Sequence, residues 1–122
     1  MPIEVIVADD RDIIRSAIRR LLGADPEIAV VGEAETLDEA IRLADQMKPH
    51  LVVMDLYLTQ KTDRGESPAA RIAKSIPRWI AVSFANDEAA HRLAKGAGAI
   101  TLLDKIELSE QLIPAIRSAA LA

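Results

Sequence analysis

The chain has no cysteine, which excludes disulfides, thiolate metal sites and cysteine nucleophiles. Its only aromatic residues are Tyr57, Trp79 and Phe84, too few to build a surface that stacks the bases of single-stranded nucleic acid. Basic residues are outnumbered, with 15 Lys and Arg against 19 Asp and Glu, which argues against binding a phosphate backbone by charge. No apolar run approaches the roughly 18 residues of a membrane span, and no signal peptide is evident. We therefore expect a soluble, cytoplasmic protein without a membrane partner.

Half of the 122 residues are hydrophobic, enough for the aliphatic core of one domain over residues 1–122. Five short apolar segments are typical of buried strands: residues 3–8, 28–32, 51–55, 79–83 and 99–103. Helical segments alternate with them at residues 12–22, 37–47, 68–75, 87–95 and from 109 onward. Strands that alternate with helices predict parallel pairing through right-handed crossovers. The predicted fold is α/β, a doubly wound, flavodoxin-like sheet of five parallel strands in the order 2-1-3-4-5 with helices on both faces.

Several predicted helices begin at recognisable capping residues. Thr36 with Glu39 three residues later is a capping box. Ser67 is an N-cap followed by proline at the first helical position, and Ser109 is predicted to cap the last helix. The polar stretch 59–66 is predicted to be a mobile loop.

Polar side chains stand at the ends of four predicted strands. Asp9 and Asp10 follow the first strand, and Asp55 ends the third. Ser83 ends the fourth strand, and Lys105 follows the fifth. In an open parallel sheet these ends meet along one edge, where ligands bind. Three clustered carboxylates repel one another and favour a hard divalent cation such as Mg²⁺, and an aspartate that faces a metal and a lysine can attack a phosphoryl group.

Each of these residues has an ordinary structural explanation when it is taken singly. Asp10 can cap the first helix, and Asp55 can be a turn residue. Ser83 can be a loop hydroxyl, and Lys105 can be a solvated surface lysine. Their joint occurrence at successive strand ends is what favours a functional site.

With these residues the chain resembles the receiver domain of bacterial two-component response regulators. The resemblance covers essentially the whole chain and is carried by VIVADD, LVVMDL, IAVSF and ITLLDK. The stretches VVGEA and VSFAND are similar to the NarL-like subfamily, whose members usually carry a DNA-binding helix-turn-helix after the receiver.

The resemblance implies a role for each site residue. Asp55 would be the phosphoacceptor, and Mg²⁺ the cofactor. Asp10 and Asp55 would bind the metal directly, Asp9 mainly through water, and Tyr57 through its backbone carbonyl.

The resemblance also implies how the site is used. A sensor histidine kinase would donate the phosphoryl group, Ser83 would hydrogen-bond it and Lys105 would pair with it. The change would reach an output surface around the fourth helix and fifth strand, which includes His91, Arg92 and Lys95. The chain would not be an enzyme beyond its own phosphoryl uptake and slow dephosphorylation. A homodimer is one possible assembly, and DNA would be bound only through a separate effector domain.

Five positions depart from the family pattern. Leu102 stands where an aromatic residue usually reports phosphorylation, which makes an aromatic rotamer switch doubtful. Ile106 replaces a proline with a cis bond, so a cis bond is not expected. After the acceptor, Thr59 replaces a proline and Gly65 comes late. Phe84 is bulky where small residues are frequent, and either hinders access to the acyl phosphate or only packs against the fourth helix.

Other interpretations belong to different classes. A pseudo-receiver would keep the fold as a phosphorylation-independent dimerisation or interaction module; Asp55 and Lys105 argue against it, whereas Leu102 favours it. A haloacid-dehalogenase-type phosphatase needs a second acid where Tyr57 stands. A flavodoxin-like cofactor domain needs a phosphate-binding first loop and flavin-stacking aromatics, which are lacking. Because the chain ends where the fifth helix should end, we expect a stand-alone receiver or one domain of a longer regulator, and the NarL-like stretches favour the second.

Overall fold

The computed structural model describes residues 2–60 and 67–121. Within them the strands are β1 (Ile3–Ala8), β2 (Ile28–Ala34), β3 (Leu51–Asp55), β4 (Trp79–Ser83) and β5 (Leu102–Asp104). The helices are α1 (Asp12–Gly23), α2 (Leu37–Met47), α3 (Pro68–Ser75), α4 (Glu88–Gly96) and α5 (Leu108–Leu121). Two 3-10 turns, Leu56–Thr59 and Lys105–Glu107, follow β3 and β5. In the part of the chain described, no helix is both long enough and apolar enough to cross a membrane.

The strands form one sheet in the order β2-β1-β3-β4-β5, and every pairing is parallel. The predicted fold class and strand order are therefore confirmed. Ala8 at the end of β1 pairs with Met54 of β3, and Ser83 at the end of β4 pairs with Asp104 of β5. This register brings the carboxyl ends of four neighbouring strands to one edge.

Apolar side chains cover both faces of the sheet. Ile6 and Ala8 of β1 join a buried cluster with side chains of α2, α3 and α4, whereas Val5 and Val7 join a second cluster with α1 and α5. Successive strand residues face opposite sides, so a sheet covered on both faces needs continuously apolar strands. Trp79 is fully buried at the start of β4, and its indole N–H donates to the Ala97 carbonyl at 3.1 Å.

The predicted caps of α2 and α3 are confirmed. The Thr36 hydroxyl accepts a hydrogen bond from the Glu39 N–H at 3.1 Å, and the Glu39 carboxylate accepts from the Glu35 N–H at 2.8 Å. The second bond closes the capping box one residue earlier than the usual pattern. The Ser67 hydroxyl accepts from the Ala70 N–H at 3.1 Å.

The fifth strand is shorter than predicted and begins at Leu102 instead of residue 99. The Ala99 N–H donates to the Ala94 carbonyl at 2.9 Å, which closes the end of α4. Gly98 has a φ of +83°, a conformation that glycine adopts without a steric cost. Ala99 therefore belongs to the helix end and not to the sheet.

The prediction that Ser109 caps the last helix is wrong, because α5 begins at Leu108. The Asp104 side chain accepts a hydrogen bond from the Ile106 N–H at 2.9 Å. That bond starts the 3-10 turn Lys105–Glu107, which leads directly into α5. The cap therefore lies before the 3-10 turn.

The second strand runs two residues further than predicted, to Ala34. Glu33 pairs with Val7 in the sheet, and its carboxylate forms ion pairs with Arg15 and Arg19, each at 3.2 Å. A charged residue ends an apolar pattern, but these two cations hold Glu33 in the strand.

The predicted loop after the acceptor begins later than residue 59. Thr59 ends a 3-10 turn and is buried, and its hydroxyl donates to the Leu56 carbonyl at 2.7 Å. Residues 61–66, to which the prediction of mobility applies, lie outside the described residues.

Candidate functional site

The strand ends bring all the predicted site residues together. Asp9 and Asp10 directly follow β1, Asp55 and Ser83 are the last residues of β3 and β4, and Lys105 directly follows β5. Asp10, Asp55, Ser83 and Lys105 line one pocket at this edge. Asp9 is fully buried and reaches the site through its bond to Lys105.

The acidic residues form a cluster that fits a hard cation. Asp9, Asp10 and Asp55 each place a carboxylate oxygen within 4.8 Å of the other two. Asp9 and Asp55 are buried, whereas Asp10 is exposed. Oxygen donors alone, open to solvent on one side, suit Mg²⁺, which usually retains several water ligands. The residues present therefore fit the ion that the sequence predicts.

The Lys105 ammonium lies between two of these carboxylates. Its Nζ donates to Asp9 Oδ2 at 2.6 Å and lies 3.5 Å from Asp55 Oδ2. The Lys105 side chain is only 3% exposed, so each charge depends on the other for compensation. Asp9 Oδ1 also accepts from the Arg11 N–H at 2.9 Å. Asp9 is thus the residue that holds Lys105 beside Asp55.

The environment of Asp55 disfavours its charged form. Burial raises the pKa of the Asp55 carboxyl above its usual value, and the negative charges of Asp9 and Asp10 raise it further. The Lys105 ammonium and the Tyr57 N–H, which is 3.1 Å from Asp55 Oδ1, partly offset this rise in pKa. Added positive charge at the site therefore favours the ionised carboxylate, which is the nucleophilic form.

Tyr57 contributes through its backbone. Its N–H donates to Asp55, and its carbonyl accepts from the Gln60 N–H at 3.0 Å within the 3-10 turn. A carbonyl oxygen has two lone pairs and can accept more than one bond. The role of this carbonyl as a metal ligand stays a prediction.

Ser83 connects the pocket with the fourth helix. It is 9% exposed, and its Oγ accepts from the Ala85 N–H at 3.0 Å. Because a hydroxyl also donates, the Ser83 O–H remains able to bond an oxygen in the pocket. Ser83 also lines a second cleft, which Asp87, Ala90 and Leu93 line from the side of α4.

The pocket at the sheet edge has a volume of about 210 Å³. Its lining consists of Asp10, Arg11, Asp55, Tyr57, Ser83, Phe84, Ala85 and Lys105. Phe84 is half exposed, and its ring centroid lies 5.2 Å from Lys105 Nζ and 5.7 Å from the Arg11 guanidinium carbon. Of the two predicted roles for Phe84, these contacts favour the one at the site.

Arg11 is the charged residue of the pocket lining that the sequence reasoning missed. It directly follows the acid pair and occupies the N-cap position of α1. The sequence does contain a signal for Arg11: an arginine is unusual at an N-cap, where short polar side chains are preferred.

The other departures from the family pattern are also visible. Leu102 is the first residue of β5 and belongs to the buried cluster that includes Ala90 and Ala94 of α4. Among the described residues no peptide bond is cis, and the Ile106 side chain is 76% exposed.

Comparison with known proteins assigns the chain to a class of signalling domains. A family model of the response regulator receiver domain matches residues 5–117, and the chain belongs to that family. The recognition from sequence is therefore confirmed, including its NarL-like character, since its homologues include LiaR and YxjL, which are response regulators of the NarL and LuxR type.

Three relatives show the extent of the match. The transcriptional regulatory protein LiaR of Bacillus subtilis is 31% identical over 121 residues, which cover 97% of this chain and 56% of LiaR. A protein-glutamate methylesterase/protein-glutamine glutaminase of Anaeromyxobacter dehalogenans is 37% identical over 105 residues, 85% of this chain and 30% of that protein. The signal receiver domain of the putative response regulator NarL from Mycobacterium tuberculosis has the same fold, with a TM-score of 0.86, 24% identity, and coverage of 99% of this chain and 98% of that one. The chain thus spans 56% of the length of LiaR and 30% of the length of the methylesterase.

Proposed function

We propose that the chain accepts a phosphoryl group on Asp55 and changes an output surface in response. The observation that carries this proposal is the position of Asp55, which opens into a pocket beside a lysine ammonium 3.5 Å away, a serine hydroxyl and two further carboxylates. That arrangement supplies a nucleophile, cations for the phosphoryl oxygens and a place for a divalent ion in one cavity.

The proposed reaction is an in-line transfer from a phosphohistidine of a sensor kinase. A carboxylate oxygen of Asp55 forms the new bond to phosphorus while the bond from phosphorus to the imidazole nitrogen breaks, and the imidazole leaves with the electron pair. Lys105 neutralises negative charge on the transferred oxygens, and the Ser83 hydroxyl donates to one of them.

The acidic cluster would hold Mg²⁺. Asp10 and Asp55 would bind the ion directly, Asp9 would act mainly through water, and the Tyr57 carbonyl would add a further oxygen. When bound, Mg²⁺ neutralises charge on the phosphoryl oxygens and on the carboxylates. Asp9 would have the separate task of fixing the Lys105 ammonium, which their 2.6 Å contact supports.

Ser83 is positioned to carry the signal to α4. It lines both the phosphoryl pocket and the cleft against α4, so a bond from its hydroxyl to a phosphoryl oxygen would reshape both. Leu102, His91 and Lys95 line a further cavity on the α4–β5 side. We propose this side, with Arg92, as the output surface, switched by repacking because Leu102 is not aromatic.

The wider setting is also part of the proposal. Two of the relatives, LiaR and YxjL, are transcriptional regulatory proteins nearly twice as long as this chain, which supports a role in transcription through a separate effector domain that binds DNA. We propose a cytoplasmic protein whose partner is a sensor histidine kinase, with a homodimer as one assembly. Its chemistry is limited to its own phosphoryl uptake and slow dephosphorylation, so it is not an enzyme with a separate substrate.

Intact-mass measurement after incubation with acetyl phosphate or phosphoramidate tests the acceptor. We expect one phosphoryl adduct with Mg²⁺, none with EDTA, and none in Asp55→Asn. An adduct in Asp55→Asn would show that Asp55 is not the acceptor. No adduct in the native chain would instead favour the phosphorylation-independent interaction module.

A further inference from the structure

We propose that Arg11 is a phosphate-binding residue at the mouth of the pocket, where its guanidinium binds the phosphoryl oxygens of the incoming donor. The inference rests on the proposed function of Asp55 and adds a second cation to its site. The chemical class of ligand is an anionic phosphoryl donor, of which phosphoramidate and acetyl phosphate are small examples.

The position of Arg11 is the first argument. Arg11 lines the same pocket as Asp55 and Lys105, and its side chain is exposed at the opening. Its guanidinium carbon lies 5.7 Å from the centroid of the Phe84 ring, within the range of a cation–π contact. Lys105 Nζ lies 5.2 Å from the same ring. The Phe84 ring is therefore within cation–π range of two cations at one cavity.

The second argument is that, among the described residues, the N–H donors of the Arg11 guanidinium have no acceptor. Arg15, Arg19 and Arg117 each form ion pairs with carboxylates. Within residues 2–60 and 67–121, the Arg11 guanidinium has no ion pair and no hydrogen bond, only the contact with Phe84. Its planar set of N–H donors matches a phosphoryl group, which it can bind through two parallel hydrogen bonds.

The third argument is that Arg11 does not stabilise the N-terminus of α1. It is the N-cap residue of α1 and makes no side-chain cap, where Ser, Thr, Asp or Asn would stabilise the helix. Its positive charge also lies at the positive end of the helix dipole. A residue that disagrees with its local structure is expected at a functional site.

The charges of the site favour the same role. Among the described residues, the three carboxylates of the site carry three negative charges, and Lys105 and Arg11 are the two cations that line the pocket. With Mg²⁺ bound, the sum of these charges would be positive because of Arg11. A positive pocket attracts an anionic donor.

The test begins with the initial rate of phosphoryl uptake from phosphoramidate at saturating Mg²⁺. We expect the apparent second-order rate constant of Arg11→Gln to be about five- to tenfold below that of the native chain, a range reduced for an exposed charge. Arg11→Lys should lie between the two. Arg20→Gln is the matched control, because it removes the same charge from an exposed site on α1 outside the pocket, and it should stay within twofold of native.

Two binding measurements separate this role from a structural one. By NMR titration of the Mg²⁺-loaded chain with inorganic phosphate, Arg11→Gln should bind more weakly than Arg20→Gln. Its affinity for Mg²⁺ should be unchanged or higher, because a positive charge has been removed beside the acid pair. Weaker Mg²⁺ binding in Arg11→Gln would mean that Arg11 only positions the acid pair, and would overturn the inference.

Phe84→Leu supplies the second variant. It should lower the uptake rate constant in the same direction, and the double variant with Arg11→Gln should be no slower than Arg11→Gln alone, because the ring acts through the guanidinium. Native rates of uptake and phosphate binding in both variants would overturn the inference while leaving Asp55 as acceptor. A native chain without uptake would refute the proposed function, and the phosphate titration would then decide the role of Arg11 by itself.

Discussion

Lys105 is bound more closely to Asp9 than to Asp55. Its Nζ lies 2.6 Å from Asp9 Oδ2 and 3.5 Å from Asp55 Oδ2, with both the lysine and Asp9 withdrawn from solvent. Asp9 therefore holds the ammonium next to the carboxylate that we propose as acceptor, without taking it out of reach of a phosphoryl group. A residue directly after β1 and a residue directly after β5 are thereby connected across β3 and β4.

We expect Lys105→Ala to keep the fold but lose stability and switching. Removing one partner of a buried pair leaves the Asp9 charge uncompensated, at a cost of about 3 kcal/mol in EDTA. Mg²⁺ should restore part of this loss, which thermal unfolding with and without the metal would show. The chemical-shift response to a beryllofluoride phosphoryl mimic should also weaken. Lys74→Ala, which replaces an exposed lysine of α3, is the control, and an unchanged response in Lys105→Ala would refute the role of Lys105.

Asp55→Asn should stabilise the metal-free chain at neutral pH, by about 0.5–2 kcal/mol. The pKa of Asp55 is raised in the fold, chiefly by burial. The folded state therefore binds this proton more tightly than the unfolded state does, and its contribution to stability is present at low pH and lost as the pH rises through the folded pKa. The advantage of Asp55→Asn in urea unfolding should shrink as the pH falls.

Mg²⁺ should reverse the order of stability, so that the native chain becomes more stable than Asp55→Asn. The ion binds the native acid cluster and stabilises it by mass action, whereas Asp55→Asn lacks one carboxylate ligand. Equal stabilisation of both proteins by Mg²⁺ would be inconsistent with Asp55 as a ligand.

Phe84→Ala should shorten the lifetime of the phosphorylated state several-fold. The half-exposed ring covers part of the pocket in which the acyl phosphate would form, and its removal admits water. Loss of the adduct over time after removal of the donor, followed by intact mass, measures this lifetime. Phe84→Tyr keeps the ring and should decay at the native rate. An unchanged lifetime in Phe84→Ala would show that the ring does not shield the site.

Arg11→Ser should make the chain more stable and less reactive. Serine can cap α1 where arginine does not, a gain of about 0.5–1 kcal/mol, and the unfavourable charge at the helix end disappears. Arg11→Ala is the control, because it removes the guanidinium without adding a cap and should show the slower uptake from phosphoramidate without the added stability. Chemical unfolding and uptake rates on both variants give the comparison, and a less stable Arg11→Ser would contradict the assignment of a poor cap.

The sheet and the residues at its edge could be predicted because the apolar segments of β1, β3 and β4 each end at a polar residue. The change from apolar to polar residues at each of these strand ends predicts Asp9, Asp55 and Ser83 as site residues. The start of β5 could not be predicted, because the bond from Ala99 back to Ala94 depends on how α4 ends.

Two other features could not be predicted because they depend on contacts between segments that are distant in the sequence. Glu33 remains in β2 because Arg15 and Arg19 of α1 bind it. The pairing of Lys105 with Asp9 joins residues 96 positions apart, so a local pattern gives no sign of which carboxylate the lysine approaches more closely.

Trp79 gives the chain an optical reporter of its own. It is the single tryptophan, and its indole bonds to Ala97, the residue that caps the end of α4. Ser83 lies at the opposite end of the same strand, about 13 Å away along β4. The fluorescence of Trp79 should therefore report how the end of α4 packs against the sheet, and not the chemistry in the pocket. A rapid-mixing experiment can then measure when a change at Asp55 reaches the far side of the molecule.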